Sequence, residues 1–97
     1  MANYTLTPGA GAESTVFPHG GGTLEVIVFE ESQLRAGAKV YVKAETSPGN
    51  GDYKTVPQSG FDSPDTRPFS LSAGNIKVAL VGGDSSATAY VRVVSIT

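Results

Sequence analysis

No cysteine and no tryptophan occur in the 97 residues, there is one histidine, and only 16% of the chain is charged. Each shortage removes a class of function. Without cysteine there is no disulfide staple and no thiolate zinc site, so a domain this small fits a reducing cytosol or a fold supported by association. The net charge is −2, without the basic surplus that marks a free-standing nucleic-acid binder. The longest apolar run, Val26-Ile27-Val28-Phe29, falls far short of the ~20 residues of a membrane-spanning helix. The start Met1-Ala2-Asn3-Tyr4 has no basic region followed by an apolar stretch, so no secretory signal is expected. A charge fraction below the ~25% typical of soluble domains leaves a surface less protected against association.

What the chain does contain is punctuation. Twelve glycines and six prolines separate short segments rich in β-branched and aromatic residues, the pattern of a sandwich or barrel. Residues 23–30 form the first clear strand, with Leu24, Val26 and Val28 on one face and Glu25, Ile27 and Phe29 on the other. In 38–46 the alternation is cleanest: Ala38, Val40, Val42 and Ala44 against Lys39, Tyr41, Lys43 and Glu45. The cluster Ser47-Pro48-Gly49-Asn50-Gly51 turns the chain into a partner strand at 52–56. Residues 57–68 read as a long irregular loop, a feature often tied to function. Short strands follow at 69–72, 75–81 and 87–97, with Phe69, Leu71, Ile76, Val78, Leu80, Ala89, Val91 and Val93 inward. Val94 and Ile96 break the parity of the last strand, which reads as a β-bulge or as burial on both sides. Glu30 to Ala36 has the composition for one helical turn, ended by Gly37.

These segments predict seven or eight strands joined mostly by hairpin-like turns. The expected fold is all-β: a small antiparallel β-sandwich, jelly-roll or Ig-like, or a compact β-barrel. Residues 1–22 read as an extended, flexible N-terminal arm, small and glycine-rich around Pro8-Gly9-Ala10-Gly11-Ala12, and 23–97 as the single β domain.

No constellation in the chain has the form of an active site. His19, in Pro18-His19-Gly20-Gly21-Gly22, reads as an exposed residue on a mobile support, a poor way to hold catalytic geometry. Asp62 and Asp65 read as turn residues rather than calcium ligands. Lys39 and Lys43 flank Tyr41, but Glu45 shares their face, so a solvated sheet face fits better than a nucleic-acid platform. No cofactor, no metal, no nucleic acid and no membrane is expected. Tyr41 and Tyr90 point outward on their strands and Ile27 and Phe29 lack a cover, a set that forms a binding patch if one sheet carries it.

The start Ala2-Asn3-Tyr4-Thr5-Leu6-Thr7-Pro8-Gly9, the hairpin Val40-Tyr41-Val42-Lys43-Ala44-Glu45 to Gly51-Asp52-Tyr53-Lys54-Thr55-Val56, and the ending Ala87-Thr88-Ala89-Tyr90-Val91-Arg92-Val93-Val94 resemble the small β-sandwich decoration, or cement, proteins of tailed-bacteriophage heads. The resemblance implies a non-enzymatic virion protein made in the host cytoplasm and bound to the capsid exterior. Its implied partners are the major capsid protein and further copies of itself, as a homotrimer, and its arm would add a strand to the capsid protein's sheet. The expected partner-binding residues are Tyr4, Leu6, Val16, Phe17, Ile27, Phe29, Tyr41 and Tyr90. The competing expectation is a carbohydrate- or receptor-binding sandwich of a tail or fibre, with Tyr41, Tyr53 or Tyr90 on sugar faces and Asp62, Asp65 or Asn50 bonding hydroxyls. The absence of tryptophan weakens it.

Overall fold

Alternation of apolar and polar residues becomes eight strands in the computed structural model, which describes residues 2–9 and 12–96. They are β1 (Ala2–Leu6), β2 (Phe17–His19), β3 (Gly22–Val28), β4 (Lys39–Glu45), β5 (Tyr53–Thr55), β6 (Asp65–Leu71), β7 (Gly74–Val81) and β8 (Ala89–Ser95). All pairs are antiparallel, in two four-stranded sheets: sheet A, ordered β1-β8-β3-β6, and sheet B, ordered β2-β7-β4-β5. The fold is an all-β sandwich, and no helix occurs among the described residues.

The inward faces are the ones the alternation marks. Leu24, Val26 and Val28 of β3 and Ala89, Val91 and Val93 of β8 meet Val40 and Val42 of β4 and Ile76, Val78 and Leu80 of β7 in one buried core. Leu71 is only half-buried, because it sits at the end of β6. The connections differ from expectation. Only β4 to β5 is a hairpin within one sheet; every other connection crosses to the opposite sheet. Local turn residues specify that the chain reverses, not which sheet receives it.

The segment expected as an arm is part of the sandwich. β1 pairs with β8 along its whole length, and Leu6 is 1% exposed in the core. β2 pairs with β7, and Ser14 is buried, its Oγ accepting the Val78 N–H at 3.0 Å. Tyr4 and Phe17 stack with centroids 5.8 Å apart, closing the seam where the β1 and β2 edges of the two sheets meet. The domain boundary expected after residue 22 therefore falls away, because the apolar residues of this segment find partners within the chain. Ala10 and Gly11, central to the flexible reading, lie outside the described residues.

The opposite seam is closed by the long loop. Phe61 is fully buried and exchanges backbone hydrogen bonds with Val40, at 2.8 and 2.9 Å. Its ring packs edge-on to Phe69 and beneath the Arg67 guanidinium, 4.5 Å from the centroid. Arg67 also donates to the Gln58 carbonyl at 3.2 Å and to Asp65 at 3.1 Å, so one side chain clamps the loop to the start of β6. β6 begins at Asp65 and runs through Pro68. The proline is tolerated because β6 is an edge strand paired only with β3.

Two further expectations give way. Residues 30–36 form no helical turn, because Gln33 bridges Thr88 in both directions and holds the segment extended. β8 contains no bulge: its register against β1 and β3 is unbroken, and Val94 and Ile96 lie on the outer side of sheet A. At Gly83 the backbone φ is +90°, and a Cβ there would stand 2.7 Å from the Ala38 Cβ and 2.9 Å from the Ala87 Cβ. Only glycine meets both constraints where the chain leaves β7.

Candidate interaction surface

With the even positions of β3 turned inward, Thr23, Glu25 and Ile27 face outward, and Phe29 continues the series. On β8 the outward set is Tyr90, Arg92 and Val94. The register places Ile27 opposite Arg92 and Glu25 opposite Val94, and the Phe29 N–H donates to the Tyr90 carbonyl at 2.9 Å. Ile27, Phe29 and Tyr90 thus share one outer face, as cross-strand neighbours in two central rows of sheet A. Val94 and Ile96 extend the apolar surface along the same side; Tyr90 is 40% and Ile96 53% exposed.

Its backbone is held beyond the end of β3. The Tyr90 N–H donates to Ser32 Oγ at 2.9 Å, which fixes the loop after Phe29. The Arg92 guanidinium lies 5.6 Å from the Phe29 ring centroid and donates to Asn3 Oδ1 at 3.1 Å, so its charge borders the apolar cluster and its stem covers part of it. Two shallow pockets share Phe29 as a wall. One, of about 330 Å³, is lined by Asn3, Tyr4, Thr5, Phe29, Glu31 and Tyr90; the other, of about 320 Å³, by Ile27, Phe29, Glu30, Pro64, Asp65 and Thr66. On the rim, the Thr66 N–H and then Arg67 hold the Asp65 carboxyl below the usual carboxylate range. An apolar centre with a charged border is the anatomy of a protein contact surface.

Of the other expected contact residues, Tyr4 reaches this surface as a wall of the first pocket, and the rest lie elsewhere. Tyr41 is on the outer face of sheet B, half-buried against Gly60, where a Cβ would come within 3.1 Å of its ring. Leu6 is core, not surface. Tyr4 and Phe17 stack in the seam, where burial pushes the Tyr4 hydroxyl pKa up, and Val16 beside them is 42% exposed. The structure adds Arg92, Val94 and Ile96, which reading along the chain missed as surface residues. Their signal was the outward parity they share with Tyr90.

The outer face of sheet B carries the exposed Val81 and the half-buried Tyr41 beside polar groups, several of which are paired. Lys77 pairs with Glu13, whose carboxyl is held low by that bond, and its ammonium lies 4.5 Å from the Tyr53 ring centroid. Glu45 accepts the backbone N–H groups of Asn75, Gly51 and Gly49, which in that order hold its carboxyl below the usual range. The carboxylate therefore caps the β4–β5 turn and ties it to β7. His19, expected in an exposed loop, is buried in β2 with Nε2 3.1 Å from the Gly22 carbonyl. Pairing with β7 turns its side chain inward, where the ring meets the Gly22 carbonyl. No group of three His, Cys, Asp or Glu positioned for a metal ion occurs among the described residues. No family model matches this chain, and no curated protein or solved structure matches it either.

Proposed function

We propose that this chain is a non-enzymatic structural protein of a tailed-phage virion, bound to the outer surface of the capsid through the outer face of sheet A. The observation that carries the reading is the gathering of Ile27, Phe29 and Tyr90 on one outer face, with a pocket on either side of Phe29. Aromatic residues beside pockets and ringed by polar groups are the usual anchors of protein contacts. The virion part of the proposal rests on the resemblance of the sequence to head decoration proteins. A sugar-binding role has less support, because Tyr41 and Tyr53 lie on sheet B, away from Tyr90, and Tyr53 is covered by Lys77.

Cosedimentation with heads assembled from the parent phage's major capsid protein tests the proposal. The intact chain is expected to pellet with heads and saturate. Phe29→Asp places a charge at the centre of the contact while leaving the core untouched, and is expected to weaken retention at least ~30-fold, the equivalent of a ~2 kcal/mol hot spot. Equal retention of the folded variant would contradict the assignment of the face.

A further inference from the structure

A sandwich of two open sheets has four edge strands, here β1 and β6 in sheet A and β2 and β5 in sheet B. Open edges invite pairing with other chains, and proteins block them. Three of the four are blocked. The hydrogen bonds from Leu80 N–H to the Ala12 carbonyl and from Ser14 N–H to the Val78 carbonyl set the phase of β7. With Phe17 opposite Ile76 and His19 opposite Gly74, Pro18 falls at the position of β2 that faces solvent. The bonds from Phe29 N–H to the Tyr90 carbonyl and from Ile96 N–H to the Thr23 carbonyl set the phase of β3 and β8. They turn Asp65, Arg67 and Phe69 toward β3, so Pro68 falls at a solvent-facing position of β6. Both strand prolines thus sit where an N–H would have been offered to a neighbour. β5 is three residues long and carries Lys54.

β1 has none of these devices. It is five residues long, Ala-Asn-Tyr-Thr-Leu, without charge or proline. In the same phase Ala2, Tyr4 and Leu6 bond to β8, which leaves the N–H and C=O of Asn3 and Thr5 directed away from the sheet. The two side chains are exposed as well.

We infer that β1 is a self-pairing edge, and that its occupant is the β1 strand of a second copy of this chain. A two-fold axis through Tyr4 sets Asn3 of each copy opposite Thr5 of the other. The two residues on each side then exchange both backbone bonds, four in all, with no donor or acceptor left over and no like charges opposed. Tyr4 meets Tyr4 as the closer, non-bonded pair. The Tyr4–Phe17 stacks and Val16 line the same side of each sandwich, so pairing covers an apolar seam as well as the edge. A β1–β1 contact is isologous and closes after two copies; it replaces the three-fold arrangement implied by the resemblance. It joins two A sheets into one and presents two Ile27–Phe29–Tyr90 clusters on the same side, a bivalent surface.

The test is sedimentation equilibrium of the full chain over a wide concentration range, beside Thr5→Pro. The wild type is expected to reach the mass of a dimer. Thr5→Pro copies the device of Pro18 and Pro68, removes one outward donor from each copy, and is expected to weaken dimerisation at least ~tenfold with its β-sheet circular dichroism unchanged. If that variant does not fold, amide exchange of the wild type decides: protection of Asn3 and Thr5 is expected to rise with concentration while that of Tyr4 and Leu6 stays constant. A monomer at every concentration, a trimer, or a folded Thr5→Pro that dimerises as tightly as the wild type overturns the inference. Dimers that ignore capsids would sink only the capsid reading, and capsid binding by a strict monomer would sink only the edge pairing.

Discussion

A chain lacking residues 2–14 is expected to show no cooperative unfolding transition and no dispersed amide spectrum. The deletion removes β1 and with it Leu6, a fully buried core side chain whose burial contributes about 1.5–3 kcal/mol. It removes the five residue pairs to β8 and leaves the backbone groups of Ala89, Val91 and Val93, which bond to β1, as an open edge. It breaks the Tyr4–Phe17 stack, about 0.5–1.5 kcal/mol, and the bonds from Ser14 N–H to the Val78 carbonyl and from Val78 N–H to Ser14 Oγ, about 0.5–1.5 kcal/mol each. Against the 5–15 kcal/mol of a small domain, little remains. Urea titration followed by far-UV circular dichroism checks this. A truncated chain with a sharp transition near that of the intact protein would show that the segment is an accessory arm after all.

Phe61→Ala is expected to destabilise the protein by about 3–5 kcal/mol, more than most single changes. Phe61 lies in a loop, yet it is 0% exposed and shared by both halves of the structure. Its ring fills the seam between β4 and β6 against Phe69, and it supports the Arg67 guanidinium that in turn holds Gln58 and Gly60 by their carbonyls. Truncation leaves a cavity at the sandwich edge and frees that clamp. The neighbouring Asp62→Ala, at an exposed position, is expected to stay within about 0.5 kcal/mol of the wild type. Midpoints of urea unfolding separate the two. A Phe61→Ala midpoint equal to that of Asp62→Ala would show that the loop does not seal the core.

Much of the core was legible along the chain because period-two alternation is local. Leu24, Val26 and Val28, or Val40 and Val42, declare their face without knowledge of any partner. What escaped was nonlocal. Pro68 reads as a strand breaker until β6 is known to be an edge, and Phe61 reads as a loop residue until Val40 is known to lie opposite it. His19 and Leu6 read as arm residues because the segment around Ala10 and Gly11 looks unstructured, whereas their burial depends on pairing with β7 and β8, more than fifty residues away. The face switch at Val94 reads as a bulge or as burial on both sides, whereas Val94 and Ile96 continue the outward row of β8. The candidate contact surface divides the same way. Ile27, Phe29, Tyr41 and Tyr90 were each visible as outward residues. Only the pairing of β3 with β8 unites three of them, and only the assignment of β4 to the other sheet removes Tyr41.

The same pairing governs the edges. Pro18 and Pro68 are ordinary turn formers in the sequence. In the fold they occupy the outward positions of two edge strands, which sets β1 apart as the open one.

Hydroxyl-radical footprinting of the chain, free and bound to phage heads, addresses the proposed capsid contact most directly, since it needs no variant. Binding through the outer face of sheet A predicts that oxidation of Phe29, Tyr90 and Ile27 falls several-fold on heads while Tyr53, on the far sheet, is oxidised at its free rate. Protection of Tyr53 with Phe29 and Tyr90 unchanged, or no difference between the free and head-mixed chain, would contradict it.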